Sequence, residues 1–288
     1  MSRVWTVGVD GSDGSSAALR WAVRLAHATG DAVHPVATWH LPVAVATVAG
    51  QRPIDVDRAG LEATAAVAAQ RSIDAALAGL PEDVSSVVDA PDVSEGHPAR
   101  VLIERSGPDQ PVVVGRRGDA GHRHRLLGST SSDLAHHAHG PVVIVPEDRP
   151  PELPRRVVVG VDGSEHSERA LRWAIDVMPS GVTIEAVVGV DVIPWLEPAS
   201  VAQRHPDVVT AAHERIGQMI DRVDLDGRVV RTMQEHSPQR VLADAFDRSD
   251  LIVVGPRGVG AIARTILGSV TSWLLAEAPC PIAVVPAS

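Results

Sequence analysis

Short runs of Val and Ile, each closed by Gly or Asp, alternate along the chain with longer stretches in which apolar residues recur every three or four positions. In the first half the runs predict strands near 3–9, 32–38, 84–89, 111–115 and 141–145. The longer stretches predict helices near 14–29, 58–79, 97–106 and 128–138. In the first of these, apolar residues at 18, 19, 22, 25 and 26 form one amphipathic face. Strictly alternating strands and helices imply a parallel sheet covered by helices on both faces. Right-handed crossovers then gather the strand C-termini, and any ligand site, along one edge.

The same pattern is written twice. Val-Trp-Thr-Val-Gly-Val-Asp-Gly-Ser at 4–12, followed by Ala-Leu-Arg-Trp-Ala at 18–22, returns as Val-Val-Val-Gly-Val-Asp-Gly-Ser at 157–164 and Ala-Leu-Arg-Trp-Ala at 170–174. A second block, Val-Val-Val-Gly-Arg-Arg-Gly at 112–118, returns as Ile-Val-Val-Gly-Pro-Arg-Gly at 252–258. The first copy carries 12 more residues between its two blocks, assigned to the Pro- and Gly-interrupted loop around 41–57. Two domains are expected, at 1–146 and 155–288, joined by a stiff Pro-rich linker at 147–154.

Composition agrees with this picture. The 288 residues are enough for two cores, and with no Tyr and one Phe the interior falls to Ala, Val, Leu and Ile. A net charge of −10 argues against nucleic acid or an anionic membrane as partner. The single cysteine, Cys280, allows no internal disulfide and reads as an inert core thiol. The start of the chain lacks a secretory signal pattern, and no long uncharged apolar run predicts a membrane span. A cytoplasmic location is expected.

The sharpest feature is Gly115-x2-Gly118-x9-Gly128-Ser129, repeated with identical spacing as Gly255-x2-Gly258-x9-Gly268-Ser269. Each begins at the end of a strand and finishes at the start of a helix. Glycines let the backbone approach a ligand closely, and the free N–H groups of a helix start favour an anion. Together they suit a polyphosphate. The bland reading is a strand–loop–helix connection with Gly for turns and Ser as cap. Asp10 and Asp162, at strand ends, suit ribose hydroxyls or a metal near phosphate, and equally suit an Asx-turn; the two roles are compatible.

These blocks resemble the ATP-binding class of universal stress proteins, whose motif is Gly-x2-Gly-x9-Gly-(Ser/Thr). The resemblance covers nearly all of both halves, including the closing Cys-Pro-Ile-Ala-Val-Val-Pro. It implies two tandem Rossmann-like, HUP-type α/β domains, each a five-stranded parallel sheet. It places Gly8, Val9 and Asp10, and likewise Gly160, Val161 and Asp162, beside adenosine. Trp39 and Val190 fall where this family touches adenine, while Ser129, Thr130, Ser269 and Val270 fall at the phosphates. By the same resemblance the last strands, 141–145 and 281–285, pair the two halves as an intramolecular pseudo-dimer; association into a homodimer stays open.

The cradles differ in charge. The first holds Arg116, Arg117 and Arg125 around Gly121; the second offers Arg257 and Arg264 around Gly260. Arginine binds phosphate bidentately, so the first site is expected to favour triphosphate; the alternative is that these arginines simply solvate a loop. Related two-domain proteins carry an Arg three residues before the third Gly, matched by Arg125 but by Thr265 in the second copy. His136, His137 and His139 read as helix-end cations rather than metal ligands.

No Walker P-loop, nucleophile elbow or kinase motif set occurs. The leading expectation is therefore a nucleotide-dependent regulator that binds ATP, with or without Mg²⁺, and is read by an unidentified protein partner. The alternatives are a slow Mg²⁺-dependent ATP hydrolase or phosphotransferase using Asp10 or Asp162, and a nucleotide-independent interaction module.

Overall fold

The computed structural model describes residues 2–41, 57–118, 127–148, 152–189, 206–234, 236–258 and 267–287. In the first half, strands β1 (Val4–Gly8), β2 (Ala32–Trp39), β3 (Asp92–Glu95), β4 (Val112–Gly115) and β5 (Val142–Val145) alternate with helices. These are α1 (Asp13–Thr29), α2 (Arg58–Leu77), α3 (Glu82–Ser85), α4 (Pro98–Glu104) and α5 (Ser129–His137). The second half supplies β6 (Arg156–Gly160), β7 (Thr183–Gly189), β8 (Val229–Gln234), β9 (Leu251–Val254) and β10 (Ile282–Val284). Its helices are α6 (Glu165–Val177), α7 (Pro206–Val223), α8 (Pro238–Ala243) and α9 (Ser269–Glu277).

Each half is a parallel sheet, and the two join into one sheet of ten strands in the order β3-β2-β1-β4-β5-β10-β9-β6-β7-β8. The seam is antiparallel, with Ile282 opposite Ile144 and Val284 opposite Val142. Alternation along the strands divides the apolar side chains between two layers. Val113, Val143 and Val145 meet α1, α2, α6 and α7 on one face, while Val112, Val114, Val142 and Ile144 meet α4, α5, α8 and α9 on the other. Both faces are covered, which is why the strands are apolar throughout.

Local signals set the helix ends. Ser12 caps α1 by accepting from the Ser15 N–H at 3.1 Å, and Ser164 caps α6 by accepting from Ser167 at 3.2 Å. Gly30 ends α1 in the left-handed region at φ 73°, where a side chain is strained.

One expected strand is displaced. Residues 84–89 do not form it: α3 occupies 82–85, begun by Pro81 with Glu82 and Asp83 favoured at its positive end. Val87 and Asp89 do bond to Val33, at 2.8 and 2.9 Å. Pro91 has no N–H to continue the ladder, which resumes at Asp92 opposite Val36.

The seam is reinforced below the sheet. The Trp5 ring, on β1, meets Trp21 edge-on at 5.8 Å and Trp173, from the second half, at 6.4 Å. Its indole N–H donates to Asp31 Oδ2 at 3.2 Å, and Asp31 also accepts from the Arg3 N–H and the Thr29 hydroxyl, each at 2.7 Å. Arg3 in turn reaches the Asp176 carbonyl of α6 at 3.1 Å.

Candidate functional site

The chain moves outward from β1 through β2 to β3, then returns to place β4 on the other side of β1. The ends of β1 and β4 therefore form a topological switch point at the C-terminal edge of the sheet, the place where open α/β sheets take ligands. The second half repeats this between β6 and β9.

To the first switch point the sequence brings Asp10 and Gly118. Asp10 Oδ1 accepts from the Ser12 N–H at 3.0 Å and its hydroxyl at 2.6 Å, which holds the carboxylate over the start of α1. A β-carbon on Gly118 would stand 2.5 Å from Asp10 Oδ2. Gly258 meets Asp162 Oδ2 still more closely. Neither Gly118 nor Gly258 has a positive φ, so what glycine provides here is room for the carboxylate.

Gly128 and Gly268 stand at the N-caps of α5 and α9, neither with a side-chain hydrogen bond to the helix. Their N–H groups instead bond back to the carbonyls of Arg116 at 2.9 Å and Pro256 at 2.8 Å, closing each loop on itself. Ser129 and Ser269 are exposed in the first turns, and Thr130 and Val270 half-buried, with Val270 packed on the core. Among the described residues neither helix start carries a side-chain cap, and an uncapped helix start favours an anion.

Two supports escaped sequence reasoning. The Ser131 hydroxyl donates to the Arg116 carbonyl at 2.9 Å, and Thr271 to the Gly255 carbonyl at 2.8 Å. A hydroxyl three residues after the helix-opening glycine in both copies was the available signal. Gly14 packs directly on the Arg117 carbonyl and on Gly115; His166 takes its place in the second half, and its Nδ1 accepts from the Ala287 N–H at 3.0 Å.

Several expected ligand contacts serve packing. Gly8 leaves room for Leu102 and Val114, Gly160 for Val254, and Gly255 for His166. Val9 and Val161 are buried and extend the ladders by bonding to Val36 and Val187, both at 2.9 Å. Arg116 departs from its expected role. It is 8 % exposed, and its Nη2 donates to the Ala278 carbonyl of the other half. Burial draws its guanidinium below the ordinary value, against the opposing pull of Glu147. Arg117 pairs with Glu147 Oε1 at 2.8 Å. Trp39 ends β2 with its indole N–H buried and, among the described residues, without a hydrogen-bond partner. Gly121, Arg125, Val190, Gly260 and Arg264 lie outside the described residues.

Among the described residues, no set of three His, Cys, Asp or Glu is grouped to hold a metal ion, and no helix is long and apolar enough to cross a membrane.

Comparison with known proteins covers both halves. The model of the universal stress protein family matches residues 1–146 and again 154–286. A universal stress protein of Mycolicibacterium smegmatis is 35% identical over 287 residues, covering 97% of this chain and 95% of the relative. One from Mycobacterium tuberculosis is 32% identical, covering 96% and 94%. Among solved structures, a universal stress protein from Archaeoglobus fulgidus aligns over 99% of both chains with a TM-score of 0.66 at 19% identity. A putative one from Pseudomonas aeruginosa aligns over 99% of this chain and 93% of its own, with a TM-score of 0.61 at 13% identity. These two show the fold.

Proposed function

The chain belongs to the universal stress protein family, and we propose that it is an ATP-binding member that regulates a partner according to its nucleotide state. The observation that carries this reading is the doubled meeting of a strand-end aspartate with a cradle glycine, Asp10 with Gly118 and Asp162 with Gly258. Each meeting lies at a topological switch point beside a helix that starts without a side-chain cap.

The residues present fit the nucleotide. Asp10 keeps Oδ2 on the glycine side for a ribose hydroxyl or for Mg²⁺ carried in with the phosphates, since Oδ1 is taken by Ser12. Gly118 and the first-turn N–H groups of α5 would hold phosphate oxygens, joined by Arg117 once it leaves Glu147. Trp39 would lie against the base. Asp162, Gly258, Arg257 and the start of α9 play the same parts in the second half. Arg125, Gly121, Arg264, Gly260 and Val190 stay in the proposal by spacing alone, and Arg116 is withdrawn from it.

A regulatory role asks only that ATP bind two states of the protein with different affinity, a difference that a partner then reads. We place this activity in the cytoplasm, with 1–146 and 155–288 as the two binding units. Calorimetric titration of ATP into the wild type, G118D and G258D tests the reading. Each variant is expected to lose one site and keep the other. A folded wild type that takes up no ATP, or that releases ADP steadily, would show the reading to be wrong.

A further inference from the structure

The two cradles are joined by a side chain that breaks their symmetry. Arg116 lies between Gly115 and Gly118, and its backbone is the hub of the first cradle. Its N–H donates to Val145 at 2.8 Å, and its carbonyl accepts from the Gly128 N–H and the Ser131 hydroxyl, both at 2.9 Å. Its side chain reaches across the seam to the carbonyl of Ala278. Ala278 is the C-cap of α9, and the other end of α9 opens the second cradle at Gly268. The residue matching Arg116 in the second half is Pro256, whose carbonyl accepts from Gly268 at 2.8 Å but whose ring has no donor to return the contact.

We infer that Arg116 couples the two nucleotide sites, so that occupancy of the first strengthens binding at the second. The inference rests on the nucleotide reading above. A phosphate seated on Gly118 and the start of α5 bears on residues 115–118 and on Gly128, whose N–H is bonded to the Arg116 carbonyl, and so on the root of the Arg116 side chain. Arg116 then fixes the last carbonyl of α9, where a cation is favoured by the helix dipole. A nine-residue helix is a rod about 13 Å long, so holding one end sets the other. Ordering done by the first ligand need not be repeated by the second, which gives positive coupling without a large movement. Linkage makes the effect reciprocal: ATP in the second site raises affinity at the first by the same factor.

Calorimetry separates this from simple double binding. G118D reports the second site alone and G258D the first, and independent sites would make the wild-type isotherm their sum. Coupling is expected to tighten the wild-type isotherm beyond that sum by about fivefold or more. R116M is expected to return to the sum of the single sites, whereas R116K, which keeps a cationic donor on a long stem, retains part of the gain. Thermal melts of all four variants establish that each is folded. A wild-type isotherm equal to the sum, or an R116M isotherm as tight as wild type, overturns the coupling while leaving the nucleotide reading intact. A wild type without ATP heat overturns both.

Discussion

Gly118 and Asp10, from different blocks of the repeat, touch so closely that a single added carbon would stand 2.5 Å from the carboxylate. Gly118→Ala is therefore expected to push the loop off Asp10. Both residues are exposed, so the carboxylate can turn aside and the expected effect is on binding more than on stability. First-site affinity for ATP is expected to fall by at least about tenfold, equivalent to roughly 1.4 kcal/mol. Calorimetry in a G258D background, with a thermal melt, measures both; an unchanged affinity would remove Gly118 from the site.

Gly30 provides the contrasting case, because a β-carbon there would meet nothing within 4 Å while φ is 73°. Gly30→Ala should lower stability by about 1–2 kcal/mol through backbone conformation alone, with ATP binding untouched. Urea denaturation checks the first part and titration the second.

Asp31 accepts from three donors, the Arg3 N–H just before β1, the buried Trp5 indole on β1 and the Thr29 hydroxyl at the end of α1. Asp31→Ala leaves the Arg3 and Trp5 N–H groups without their acceptor, an expected loss of about 1–3 kcal/mol for each buried donor. Because Trp5 also touches Trp173, tryptophan emission in the native state is expected to shift as well. A variant with wild-type stability and emission would mean that this network contributes little.

His166 should make stability depend on pH. Burial first, then the Arg257 charge, lower its pKa from 6.5, so the folded state resists protonation more than the unfolded chain does. As pH falls below about 6.5 the unfolded state binds more protons, and stability declines until the folded-state value is passed. Protonation also removes the acceptor for Ala287. Melting temperatures at pH 8 and 5.5 should differ less in His166→Asn than in wild type. Equal slopes would exclude this histidine.

Much of this architecture was legible in the chain. The doubled Gly-Val-Asp-Gly-Ser and glycine blocks mark the ends of β1, β4, β6 and β9, because glycine spacing and strand ends are local features. The displaced third strand was not, since the apolar pair Val87-Val88 fits a strand while Pro81, Glu82 and Pro91 divide the segment between a helix turn and a later ladder. Arg116 lies in the first glycine cradle, where an arginine is expected to meet phosphate. Nothing in the local sequence distinguishes an arginine aimed at a ligand from one aimed across a seam. The contact of Trp5 with Trp173 was hidden for the same reason: it depends on which strands meet, not on either strand's own pattern.

The antiparallel seam between β5 and β10 has a consequence for how such a molecule can change. Two identical chains meeting about a twofold axis must accept every substitution twice, once in each copy. Joined in a single chain, the halves are released from self-complementarity. An arginine on one side of the seam can face a carbonyl on the other while its counterpart becomes Pro256. One cradle is then free to specialise while its sister keeps the shared sheet intact.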